Sequence, residues 1–127
     1  NYQADVLSPI YYNNCGADIT FAEKAMGMSG ARNVKIVKGL FSETLPNFDF
    51  KEEIAILRLD ADWYESTMCC LTNLYDKIAK NGIVIFDDYY IWVGCSRAVH
   101  EFLYKHDVMD RLQGTWPSLA YIKVETK

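Results

Sequence analysis

Four aspartates stand at the ends of two apolar runs. "IAILRLDAD" (54–62) closes on Asp60 and Asp62, and "GIVIFDD" (82–88) closes on Asp87 and Asp88. Carboxylates brought to one edge repel each other. At an effective dielectric near 20, two unit charges about 4 Å apart cost about 4 kcal/mol. A bound proton or a bound cation relieves that repulsion. Carboxylate oxygens suit Mg2+, Mn2+ or Ca2+, and Mg2+ keeps positions open for water or substrate. Asp60, Asp87 and Asp88 offer a partial shell of that kind. A hydroxyl at an open position would have its pKa lowered, so that an adjacent carboxylate could remove its proton.

Each acid also has an ordinary reading. Asp62 suits the cap of a following helix, and Asp88 suits a turn. Asp60 and Asp87 are harder to explain so, because ending a buried strand in a charge carries a desolvation cost. Arg58, inside the first apolar run, suits a buried partner for one of them. His100 has general-base chemistry, but its apolar neighbours Val99 and Phe102 favour a half-buried structural histidine. Tyr89, Tyr90 and Trp92 follow the second acid pair and would either wall a pocket or pack.

The elements that must position these residues follow from periodicity. Residues 1–16 read as irregular. A helix capped by Asp18 carries Phe21, Ala25 and Met28 on one face and ends by Gly30. "NVKIVKG" (33–39) reads as a short strand. The runs at 54–61 and 83–88 read as strands covered on both faces. Between them a helix spans roughly 64–80, with Gly82 just beyond its end. A second helix spans 96–108, Trp116 and Pro117 mark a turn, and 118–125 reads as a final strand. Strand–helix–strand order predicts an α/β sheet with parallel pairing. Ligands of such sheets bind outside the carboxyl ends of the strands, where both acid pairs lie.

Bulk properties narrow the class. The chain has 127 residues, which fits one domain. Half the residues are hydrophobic and 14% aromatic, so disorder is excluded as the main state. The net charge of -4, with the 13 basic residues scattered, argues against nucleic acid as a partner. No apolar stretch approaches the roughly 18 residues of a membrane span. Cys15, Cys69, Cys70 and Cys95 form no CxxC pair, which disfavours zinc and leaves reduced thiols in a cytoplasmic protein as the expectation. Oligomeric state is not set by the sequence, and a homo-oligomer is compatible with it.

Four blocks taken together resemble the macrocin O-methyltransferase family: "VKGLFSETLP" (37–46), "LRLDADWYESTM" (57–68), "NGIVIFDDYY" (81–90) and "CSRAVHEF" (95–102). The resemblance implies a Rossmann-like class I methyltransferase fold, S-adenosylmethionine as methyl donor and Mg2+ (or Mn2+) as metal. It places Asp60, Asp87 and Asp88 as metal ligands and Asp60 as the general base for a hydroxyl on a sugar or other small molecule. Leu40 and Phe41 stand where the family usually carries an aromatic pair. Upstream of residue 33 no Gly-rich turn follows a strand. The expectation is therefore a single partial domain over 1–127, the C-terminal portion of such a fold, with no cofactor-binding residues identified and weak binding of the methyl donor on its own. The strand at 54–61 would then present a long apolar edge.

Rival readings make different demands. In a metal-dependent glycosyltransferase, Asp60-Ala61-Asp62 would hold a nucleotide sugar's diphosphate, leaving Asp87-Asp88 without a role. A phospho-acceptor receiver domain wants its acid pair on an early strand, the reverse of the order here. An inactive remnant of a methyltransferase would keep the acids without the donor half.

Overall fold

The computed structural model describes residues 3–9, 11, 16–115 and 119–125. Its elements are α1 (Gln3–Val6), α2 (Ile19–Ser29), α3 (Phe41–Thr44), β1 (Ile54–Leu59), α4 (Tyr64–Leu74), β2 (Ile78–Phe86), α5 (Val93–Lys105), β3 (Leu112–Thr115) and β4 (Leu119–Lys123). The strands form one sheet in the order β1-β2-β4-β3. β1 and β2 are parallel, joined by α4, whereas β4 is antiparallel to both β2 and β3. The α/β expectation holds, with a mixed sheet in place of a parallel one.

The core lies between the sheet and the two helices that follow its parallel strands. α4 buries Thr67, Cys70, Leu71 and Leu74, and α5 buries Gly94, Cys95, Ala98, Val99 and Phe102. Both sets recur at helical spacing, and the small residues let the helices approach. Phe102 meets Tyr75 with ring centroids 5.2 Å apart. Val84 and Phe86 of β2 and Ile122 of β4 are fully enclosed beneath them. No helix among the described residues is long and apolar enough to cross a membrane.

Several expectations are corrected. Residues 33–39 form no strand, and Val34, Ile36 and Val37 are exposed. A strand needs a partner ladder, and this segment pairs with no described strand. β1 stands at the sheet's edge, with Ile56 65% exposed, so it is not covered on both faces. α2 is capped by Asp18 as expected, yet none of its residues is buried, so Phe21 and Met28 face outward.

The largest shift concerns the helix expected over 64–80. It ends at Leu74, passes through a 3-10 turn at Tyr75–Lys77, and gives way to β2 at Ile78. Ile78 pairs with Ile54 and is fully enclosed, so pairing and burial overrule local helix preference. The ladder then slips: Ile56 pairs with Ile83, and the extra residues bulge at Asn81 (φ 67°) and Gly82. Gly82 is thus inside a strand, not beyond a helix. A Cβ there would lie 2.6 Å from Ile78 Cγ2 and 2.8 Å from the Ala79 carbonyl oxygen, so the bulge requires glycine. α5 starts three residues earlier than the pattern implied. β3 was not foreseen, and the expected turn at Trp116 and Pro117 lies outside the described residues.

Candidate active site at the carboxyl edge of β1 and β2

The parallel ladder ends with Leu59 opposite Phe86, and the Asp87 amide donates to the Leu59 carbonyl at 3.0 Å. Both acid pairs therefore leave the sheet side by side. Beyond β1 the chain makes a tight turn centred on Asp62, whose φ is 55°, with the Trp63 amide donating to the Ala61 carbonyl at 2.6 Å. Left-handed backbone on a non-glycine residue persists where surrounding contacts hold it. Two contacts do so: the Asp62 amide donates to Asp88 Oδ2 at 3.1 Å, and Trp92 Nε1 donates to Asp62 Oδ1 at 3.1 Å. Asp62 does not cap α4. The cap position is Trp63, which has no side-chain hydrogen bond to offer the helix.

Asp60, Asp62 and Asp88 each present a carboxylate oxygen, and these oxygens lie within 4.8 Å of one another. Asp87 takes a different partner. Arg58 Nη2 donates to Asp87 Oδ2 at 2.5 Å, and Arg58 Nη1 donates to Asp60 Oδ2 at 2.9 Å. The Arg58 side chain is 51% exposed rather than buried, so these pairs contribute little to stability, at most about 1 kcal/mol each. Their effect is on charge: one guanidinium serves two of the four carboxylates, Asp60 and Asp87.

Asp88 carries the electrostatic strain. It is only 6% exposed. Burial pushes its carboxyl up to about 6, the charges of Asp62 and Asp60 add to the rise, and the Asp62 amide opposes it. Holding the charge at neutral pH costs about 3 kcal/mol relative to an ordinary carboxylate. That exceeds what the exposed Arg58 pairs return, and both Arg58 hydrogen bonds go to Asp60 and Asp87 rather than to Asp88. A hard cation at this edge would offset it, and the donor set of clustered carboxylate oxygens fits Mg2+ or Mn2+.

The aromatic residues divide in two. Trp63 and Trp92 pack with centroids 5.0 Å apart beside Asp62, and Tyr11 lies 5.2 Å from Trp63. Tyr89 and Tyr90 meet edge to face at 4.9 Å. Tyr89 also shares a 2.8 Å hydrogen bond with His100 Nε2, and burial raises the proton affinity of its phenol. His100 is exposed, not half-buried, and is tied to a tyrosine rather than to the acids. Cys69, Cys70 and Cys95 are free thiols. Burial pushes Cys70 up to about 12 and Cys95 up to about 11, which keeps both protonated and unreactive.

Sequence reasoning missed Asp5. It is buried, and its carboxylate accepts from the amides of Val93 and Gly94 at the start of α5. A lone acid in an irregular segment gives no signal of such a long-range contact.

The demethyldecarbamoylnovobiocin O-methyltransferase of Streptomyces niveus is 44% identical over 79 residues, 62% of this chain and 30% of that protein. The mycinamicin III 3''-O-methyltransferase of Micromonospora griseorubida is 39% identical over 79 residues, again 62% of this chain and 30% of that protein. Among solved structures, the O-methyltransferase NovP superposes with a TM-score of 0.66 at 40% identity, covering 69% of this chain and 36% of that one. The apo form of CalS11, a TDP-rhamnose 3'-O-methyltransferase of calicheamicin biosynthesis, superposes with a TM-score of 0.59 at 28% identity, covering 68% of this chain and 39% of that one. The chain thus spans about 30% of the length of these curated relatives. Residues 22–121 match the profile described as Macrocin-O-methyltransferase (TylF), and the chain belongs to that family.

Proposed function

We propose that this chain carries the metal and acceptor edge of an S-adenosylmethionine-dependent O-methyltransferase acting on a hydroxyl of a sugar or other small molecule. One observation carries the reading. A desolvated carboxylate, Asp88, is grouped with Asp60 and Asp62 at the carboxyl ends of two parallel strands. The relatives named above are O-methyltransferases, and CalS11 is named for a position on the nucleotide sugar TDP-rhamnose, which supports the acceptor class.

Asp60, Asp87 and Asp88 are the proposed ligands of Mg2+ or Mn2+. When bound, such an ion lowers the pKa of a coordinated hydroxyl. Asp60 is exposed and anchored by Arg58 through Oδ2, so an acceptor hydroxyl can reach it and pass it a proton. Trp63 and Trp92 give the site an apolar wall beside the acids. A second ligand assignment, Asp62 in place of Asp87, is favoured by the 4.8 Å grouping and by the engagement of Asp87 with Arg58. For the methyl donor, the described residues offer no match: no described strand precedes β1, so no Gly-rich turn follows one, and no donor contact is assigned to this chain.

Calorimetric titration with Mn2+ tests the metal. Binding should be lost in Asp88→Asn, and Asp87→Asn against Asp62→Asn decides the third ligand. Equal heats in all variants would remove the metal from the proposal. Where the metal arm succeeds, methyl transfer to a nucleotide sugar, assayed in the presence and absence of the ion, tests the activity.

A further inference from the structure

We infer that Asp5 is a positioning residue for the acidic edge, holding Trp92 and, through it, Asp62. The inference deepens the cation site proposed above and rests on that reading for one of its two readouts. Asp5 is 2% exposed although it lies in a short surface helix. Its Oδ1 accepts the Val93 amide at 2.6 Å and its Oδ2 accepts the Gly94 amide at 2.8 Å. These are the first two amides of α5, which otherwise lack a partner in the helix. The cap position of α5 is Trp92, which makes no capping hydrogen bond. Asp5 supplies from a remote segment what serine or aspartate at that position would supply locally, with its charge on the positive end of the helix.

This arrangement frees the cap position for an indole, and the indole serves the site. Trp92 Nε1 donates to Asp62 Oδ1 at 3.1 Å, and the Asp62 amide donates to Asp88 Oδ2 at 3.1 Å. Contacts therefore run without a break from Asp5 through the first turn of α5 to Trp92, Asp62 and Asp88. Tyr11, just beyond α1, closes on Trp63, the ring against which Trp92 packs. The segment bearing Asp5 is thus fastened on both sides of one aromatic pair. Without the carboxylate, two amides lose their acceptors and the first turn of α5 frays. Trp92 then loses its backbone anchor, and the left-handed turn at Asp62 loses one of its two restraints.

The test compares Asp5→Ala, Asp5→Asn and Trp92→Phe in the full chain. Amide hydrogen exchange needs no cation. In Asp5→Ala, exchange at Val93, Gly94 and also Asp62 should rise about fivefold, the equilibrium equivalent of a lost cap. Asp5→Asn keeps one acceptor and should show a smaller rise at the same three amides, which decides the matter if the alanine variant fails to fold. Trp92→Phe should raise exchange at Asp62 and leave Val93 and Gly94 protected. Mn2+ affinity should fall about tenfold in both Asp5→Ala and Trp92→Phe, with the double variant no weaker than the worse single one. A rise confined to Val93 and Gly94 would overturn the inference and leave Asp5 a plain helix cap. A native chain that binds no Mn2+ refutes the cation reading instead, and the exchange data still decide the role of Asp5.

Discussion

Replacing Asp88 by asparagine should stabilise the metal-free chain at neutral pH. The carboxyl sits at about 6 against an ordinary 3.8, because it is buried beside Asp62 and Asp60. The folded state therefore holds the proton more tightly than the unfolded state does. A raised acid of this kind supports folding below about pH 4, and that support is lost as pH rises towards 6, with no further change above. By pH 7 the ionised group has cost about 3 kcal/mol. Asparagine keeps a carbonyl oxygen to accept the Asp62 amide and removes the charge. Its amide group needs a partner of its own, which returns about 1 kcal/mol of the gain. Urea denaturation in EDTA at pH 4, 5, 6, 7 and 8 would measure this. The expected difference is about 0.5 kcal/mol in favour of the native chain at pH 4 and crosses to about 2 kcal/mol in favour of Asp88→Asn at pH 7. With saturating Mn2+ the order should reverse, since only the native carboxylate gains from the ion. A variant less stable than the native chain at pH 7, by a margin constant from pH 4 to 8, would refute burial of charge as the strain at this edge.

Arg58→Gln should change stability by less than about 2 kcal/mol, because both of its ion pairs are exposed. The same variant should bind Mn2+ more tightly, since the guanidinium competes for Asp60 and Asp87, and weaker binding in calorimetry would contradict this. Gly82→Ala should cost about 1–3 kcal/mol in thermal unfolding, because its methyl meets Ile78 and the Ala79 carbonyl in the bulge. Cys70 and Cys95 should resist iodoacetamide at pH 8 in the folded chain and react in urea, as mass spectrometry of labelled peptides would show.

The acids were legible because their signal is local in sequence. Apolar runs ending in Asp60 and Asp87 mark strand ends, and one helix between parallel strands makes those ends neighbours. The helix faces of α4 and α5 were legible for a similar reason, since burial recurs at helical spacing. What failed depends on distant partners. "NVKIVKG" alternates like a strand but pairs with no strand among the described residues. Ile78 continues a helical pattern yet is captured by Ile54. Asp62 precedes a helix as a cap residue would, whereas its donor, Trp92, lies thirty positions away. The division of labour between Asp62 and Asp87 around Arg58 is a matter of side-chain reach, which spacing alone does not encode.

The acids and their indole partner all come from β1, α4, β2 and the first residues leading into α5. The charged groups themselves come from one contiguous strand–helix–strand stretch, and the remote segment bearing Asp5 steadies them through the first turn of α5. Duplication or recombination that moved this stretch without the segment bearing Asp5 would carry the acids but leave the start of α5, and with it Trp92, without its remote anchor.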